Sequence, residues 1–126
     1  MHQIGTIRFD ASVAALLRDG GLPTSDLGTG TRVGFLGAAA GTRLLGCVGL
    51  EDCGDAVLLR SLAVARQARN AGLGTALLEA AEQRARELGH PMVYLLTTDA
   101  APFFAIHGYR AVERADAPPG IAATAQ

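Results

Sequence analysis

Arg69, Gly72 and Gly74 fall in the run R-N-A-G-L-G at residues 69–74, with Arg66 three positions before it and Thr75 directly after. If a helix starts here, its first backbone N–H groups have no intrahelical partner and lie at the positive end of the macrodipole, which suits a phosphate. Glycine at 72 and 74 removes the Cβ atoms that would hold an anion off the backbone. Arg66 and Arg69 add full positive charges, and Thr75 adds a hydroxyl. The chemistry these types offer together is anion binding. The same residues would also serve an ordinary strand-to-helix loop with solvated arginines, and the turn alone leaves both readings open. Two other phosphate motifs fail on spacing. A dinucleotide fingerprint needs a third glycine where Leu77 stands, and a P-loop needs a lysine after its second glycine, whereas no lysine lies between Gly72 and Leu88.

The elements that must position this turn are legible on both sides of it. Residues 58–64, L-L-R-S-L-A-V, are apolar except for Arg60 and Ser61, the length and composition of a strand covered on both faces. After it the period changes. Leu73, Ala76, Leu77, Ala80, Ala81, Ala85 and Leu88 recur at helical spacing, with Glu79, Glu82, Gln83, Arg86 and Glu87 on the opposite face. Glu82 and Arg86 stand four apart in the favourable order, and Gly89 supplies a stop.

Elsewhere the pattern predicts a strand over 3–9 and a helix capped by Asp10 or Ser12, with Val13, Leu16 and Leu17 on one face and Gly20 and Gly21 at its end. A short helical turn is expected at 23–27 after Pro23, then a flexible link to Thr31. Strands over 32–40 and 43–51 flank Ala40-Gly41-Thr42, a hairpin signature, and residues 52–55 turn into the central strand. Beyond the long helix, a strand over 92–98, a helix over 101–107 with Pro102 in its first turn, a last strand over 109–113 and an irregular tail complete the chain.

At 126 residues the chain reads as one domain, 1–126, large enough to bury roughly two thirds of the surface its unfolded form exposes. The apolar share of 49% is that of a globular protein, and no apolar run approaches the ~20 residues of a membrane span. The opening MHQIGTIRFD has no apolar stretch followed by a cleavage site, so the cytoplasm is the expected compartment. With 11 basic against 12 acidic side chains, no global field recruits nucleic acid or an anionic membrane, and neither is expected as a partner. Cys47 and Cys53 have no secretory context and no second pair, so they read as packing residues, and no metal is expected.

R-x-x-G-x-G directly after a strand ending L-A-V, and directly before an amphipathic helix, resembles the acetyl-CoA signature of the GNAT N-acetyltransferases. The likeness extends to GLPTSDL (21–27), LLRSLAV (58–64), YLLTTDAAPFFAIHGY (94–109) and the tail residues Arg114, Ala117, Pro118, Ile121 and Thr124. In these stretches the chain is similar to the arsenic-resistance-associated subfamily, the ArsN group. The resemblance implies an α/β (α+β) GNAT fold, a central mixed sheet of six to seven strands flanked by about four helices, with the fourth and fifth strands splayed to admit a pantetheine arm. Composition alone reaches only α+β or α/β.

The resemblance further implies acetyl-CoA as cosubstrate and transfer of its acetyl group to the primary amine of a small molecule, amino-acid-like or organoarsenical in the ArsN case. It assigns the cofactor to Leu62, Ala63, Val64, Arg69, Asn70, Gly72, Gly74, Thr75, Thr97 and Phe104, with the Val64 N–H polarising the acetyl carbonyl. The acceptor falls to Arg60, Ser61 and Thr98. Glu51 is the candidate base for the incoming amine, the one carboxylate with apolar neighbours on its N-terminal side, and its alternative is a surface turn residue. A buried guanidinium needs a partner, so Arg60 must meet a carboxylate, either the substrate's or that of Glu51.

Two departures from the family pattern stand out. Phe104 occupies the place, four residues before Gly108, where many members carry a tyrosine to protonate the departing thiolate, and Thr97 stands where an asparagine is common. His107 and Tyr109 are possible substitutes for the missing acid. Two other functions fit the same residues, a protein N-acetyltransferase and a catalytically idle acyl-CoA sensor. Homodimer formation stays open.

Overall fold

The computed structural model describes residues 3–22, 33–54, 56–69, 72–90, 92–95, 101–112 and 118–119. β1 (Gly5–Ile7) leads into α1 (Ala11–Asp19), whose N-cap is Asp10: its Oδ1 accepts from the N–H groups of Ser12 (2.9 Å) and Val13 (3.1 Å). β2 (Val33–Ala40), β3 (Arg43–Asp52) and β4 (Val57–Val64) follow as an antiparallel meander on β1. β5 (Val93–Leu95) then pairs with β4 in parallel, Val57, Leu58 and Leu59 opposite Val93, Tyr94 and Leu95. A parallel pair needs a crossover, and α2 (Leu73–Glu87) makes it. α3 (Ala101–Ile106) comes last.

The two faces of the sheet have separate cores. α2 packs Leu73, Leu77, Leu78, Ala81 and Ala85 against Ala38, Val48, Leu50, Val57 and Leu59, with Phe104 of α3 in the same cluster. α1 packs Val13, Leu16 and Leu17 against Phe35, Cys47, Ala63 and Ala65 on the other face. Gly46 sets how closely α2 approaches, since a Cβ there would lie 2.9 Å from Leu77 Cδ1 and 3.0 Å from Leu73 Cδ2. Gly46 stands opposite Val64, so this approach brings the first turn of α2 to the end of β4. No helix among the described residues is long and apolar enough to cross a membrane.

Among the described residues the sheet has five strands and there are three α-helices plus one 3-10 turn (Arg66–Ala68), fewer than the six to seven strands and four helices expected. The strand expected over 109–113 is the clearest difference. The Tyr109 N–H donates back to the Phe104 carbonyl (3.0 Å), closing the end of α3, and residues 109–112 form no strand. The helical turn expected at 23–27 and residues 96–98 of the expected fifth strand lie outside the described residues.

Two acidic side chains, the buried Cys47 and the half-buried Tyr109, tie stability to pH. Burial pushes the Cys47 thiol up to about 12. Burial, then the hydrogen bond to Glu82 and its charge, push the Tyr109 phenol up as well. In both cases the fold prefers the neutral form, so the unfolded chain releases these protons first, from about pH 8.5 for a thiol and 10 for a phenol. Stability is therefore complete below pH 8 and falls as pH rises, at most ~1.4 kcal/mol per pH unit for the thiol. Denaturation midpoints from pH 8 to 11 should decline steeply for the wild type and less steeply for Cys47→Ala. Parallel declines would remove the thiol as the cause.

Candidate active site

The end of β4 is built around an extra residue. Ala63 stands opposite Cys47 and Arg60 opposite Gly49, so Val48 alone on β3 faces both Ser61 and Leu62 on β4, a bulge. Ser61 takes the strain at φ 59°, the left-handed region that costs a non-glycine residue roughly 1–2 kcal/mol. The Cys47 thiol donates to its carbonyl across the strands (3.5 Å). Unbroken alternation from Val57 and Leu59 would carry Ser61 and Ala63 to the α2 face. The extra residue instead hands that face to Leu62 and Val64 and turns Ala63 to α1. Ser61 is 4% exposed, and its Oγ has no hydrogen-bond partner among the described residues.

Beyond the bulge the backbone groups of Val64 turn outward. The Ala65 N–H donates to the Leu45 carbonyl (2.7 Å), so those two form a hydrogen-bonded pair. Val64, opposite Gly46, is then the alternate pair, whose main-chain groups point away from β3. The Val64 carbonyl accepts there from Arg69 Nε at 3.1 Å. A cavity of about 810 Å³ lies along this edge, lined by Arg60, Ser61, Leu62, Ala63, Val64, Arg66, Arg69, Leu95, Phe103 and Phe104 among others, and it reaches α1 at Ser12 and Asp19.

Next to it α2 begins without a side-chain cap, its N-cap Gly72 at φ 80°. That dihedral explains glycine at 72. Gly74 has no such reason. A Cβ there would meet Phe103 Cζ at 3.7 Å and Val64 Cγ2 at 3.9 Å, ordinary contacts, while glycine inside a helix costs about 1 kcal/mol relative to alanine. Packing among the described residues does not ask for glycine at 74.

The buried cation has its carboxylate. Arg60 is 2% exposed and Nη1 reaches Glu51 Oε1 at 2.8 Å, so of the two partners read from sequence the structure supplies Glu51. Glu51 does not line the cavity; it meets it through Arg60. Thr75 lies one step past Gly74, and its Oγ1 is 3.2 Å from His107 Nε2. His107 Nδ1 is 2.9 Å from the Phe103 carbonyl, and the two rings lie 4.7 Å apart. The Tyr109 hydroxyl donates to Glu82 Oε2 at 2.7 Å. Both of the residues considered as stand-in acids thus have their polar groups engaged. Phe104 is buried, edge-on to Phe103 and Tyr109. Asn70, Thr97 and Thr98 lie outside the described residues.

Sequence reasoning did not single out Phe103, although it packs beside Gly74, stacks on His107 and lines the cavity. Its spacing of four from His107 was the available signal, since residues four apart in a helix are neighbours.

Residues 11–111 match the model of the Acetyltransferase (GNAT) family. No curated protein matches the chain significantly. Among solved structures, N-acetylglutamate synthase from Neisseria gonorrhoeae, complexed with coenzyme A and N-acetyl-glutamate, is similar with TM-score 0.81 and 24% identity. That match covers 94% of this chain but only 30% of the synthase. An acetyltransferase of Trypanosoma brucei (TM-score 0.70, 21% identity, 90% of this chain and 95% of that one) has the same fold. So has a GNAT-family acetyltransferase of Staphylococcus aureus (0.74, 20%, 92% and 90%).

Proposed function

The chain belongs to the GNAT acetyltransferase family, and from that premise we propose that it moves an acetyl group from acetyl-CoA to the primary amine of a small molecule. The observation that carries the reading is one juxtaposition. The uncapped start of α2, with an unforced glycine at 74, adjoins the cavity onto which the Val64 backbone turns. The N–H groups of α2, with Arg66 and Arg69, would hold the pyrophosphate. The edge of β4 from Leu62 to Val64 would pair with pantetheine amides as a short added strand does. Phe103 and Phe104 supply apolar wall.

Acetyl-CoA supplies an activated acyl group on a thiol leaving group. The Val64 N–H donates to the acyl oxygen as negative charge builds on it. Glu51, fixed by Arg60, takes the amine proton through water, and Arg60 and Ser61 line the acceptor side, to which the family likeness also assigns Thr98. The ArsN likeness favours an amino-acid-like or organoarsenical acceptor, met in the cytoplasm. Release of free coenzyme A from acetyl-CoA across a panel of amines tests the whole reading. Amine-dependent release supports it, and binding without release under every amine leaves an acyl-CoA sensor.

Phe104 is the observation that keeps the sensor reading in view, and one variant weighs it. Phe104→Tyr should change kcat by less than about tenfold, because a thiol of pKa ~8.5 leaves with little protonation help and the added hydroxyl enters an apolar wall. Measured kcat on one identified acceptor decides. An inert wild type beside an active Phe104→Tyr would overturn the enzyme reading.

A further inference from the structure

We infer that His107 is a positioning residue for the phosphate groups at the start of α2, holding the Thr75 hydroxyl and gaining a proton when that hydroxyl turns to the anion. The inference rests on the phosphate reading of that helix start. Its basis is the direction of two hydrogen bonds. The Phe103 carbonyl can only accept, so His107 Nδ1 carries a hydrogen and donates to it at 2.9 Å. In the neutral ring Nε2 is then a bare acceptor, and the Thr75 O–H, 3.2 Å away, must be the donor.

With its single proton committed inward, Thr75 shows an approaching phosphate only lone pairs, which repel it. The conflict is removed if Nε2 takes a proton from solvent. The imidazolium then donates through both nitrogens, to the Phe103 carbonyl and to Thr75 Oγ1. Thr75 keeps its own hydrogen and points it at the anion. No bond other than N–H is made, and the added positive charge lies one side chain away from the bound phosphate.

Among the described residues, the other charged or titratable groups around this corner are engaged elsewhere or exposed. On α2, Glu79 is exposed and Glu82 accepts from Tyr109. In the turn before α2, Arg69 donates to the Val64 carbonyl, and after α3 Arg110 is exposed. Among the described residues, the His107 ring is hydrogen-bonded to Thr75 and Phe103 alone.

Calorimetric titration with coenzyme A from pH 6 to 8.5, in two buffers of different ionisation heat, tests the inference. The ligand's own phosphates titrate equally for every protein, so the comparison is between proteins. Wild type should take up as much as one more proton per coenzyme A than His107→Gln, and its Kd should weaken by up to about tenfold per pH unit more steeply. Thr75→Val should bind more weakly and share the flatter profile. Should a variant fail to fold, nitrogen NMR of the wild-type imidazole at pH 7.5 gives the same answer, with a neutral Nδ1–H ring when free and a doubly protonated one when bound. Equal proton counts in all three proteins, or a ring that stays neutral when bound, would overturn the relay and leave the cradle standing. Absence of coenzyme A binding by wild type at every pH would overturn both.

Discussion

Gly74→Val is expected to lose the rise in melting temperature that coenzyme A gives the wild-type protein. At a hundredfold excess over Kd, a ligand that binds only the folded state adds about 2.7 kcal/mol. The branched side chain would occupy the space in front of the α2 N–H groups, where the described residues place nothing closer than 3.7 Å to a Cβ at 74. Gly74→Ala separates that loss from damage to the fold. Its single Cβ makes ordinary contacts and alanine is the better helix former, so the free protein should be more stable than wild type by up to ~1 kcal/mol while binding coenzyme A more weakly. Stability and affinity then move in opposite directions. Melting curves with and without coenzyme A for the three proteins decide it, and equal shifts would take the turn out of the site.

Glu51→Gln should lower kcat by about 10²- to 10⁴-fold, the range typical of a lost general base. The amide oxygen can still accept from Arg60 Nη1, so the buried guanidinium keeps a hydrogen-bond partner but loses its counter-charge, and the fold loses up to ~3–5 kcal/mol. Glu51 is 22% exposed at its side chain, so its carboxylate keeps contact with solvent while paired to Arg60. Initial rates on one identified amine, set beside the melting temperature, test the role. Unchanged kcat with a lowered melting temperature would reduce the pair to a structural one.

What was legible in the sequence was local. The start of α2 follows from helix-end chemistry within six residues, and the need of Arg60 for a carboxylate follows from its apolar neighbours; Glu51 answers it. Asp10, one of the two caps the residues offered, caps α1, and the hairpin closes at Ala40 and Arg43 as its turn residues predict. What was not legible depends on residues far apart. The bulge is a matter of register against β3, and a serine at positive φ gives no warning of it. Thr75 and His107 are 32 positions apart and meet only because α2 and α3 share one corner. Tyr-Arg-Ala-Val at 109–112 has the composition of a strand, but the first N–H is taken by the helix before it.

The bulge at Ser61 also separates what the sheet requires from what the cavity requires. Remove that one residue from the chain and β4 becomes a regular strand in which every neighbour keeps its place: Leu62 faces Val48, Arg60 still faces Gly49, and Leu62 and Val64 still lie under α2. By the measure of pairing and packing, then, β4 is one residue too long. That surplus length carries a left-handed backbone and a buried hydroxyl without a partner among the described residues, two local penalties at one position. What it supplies is curvature, a bend in β4 just before the edge that fronts the cavity. The number of residues in β4, more than the identity of any one side chain beyond the bend, is what shapes that edge.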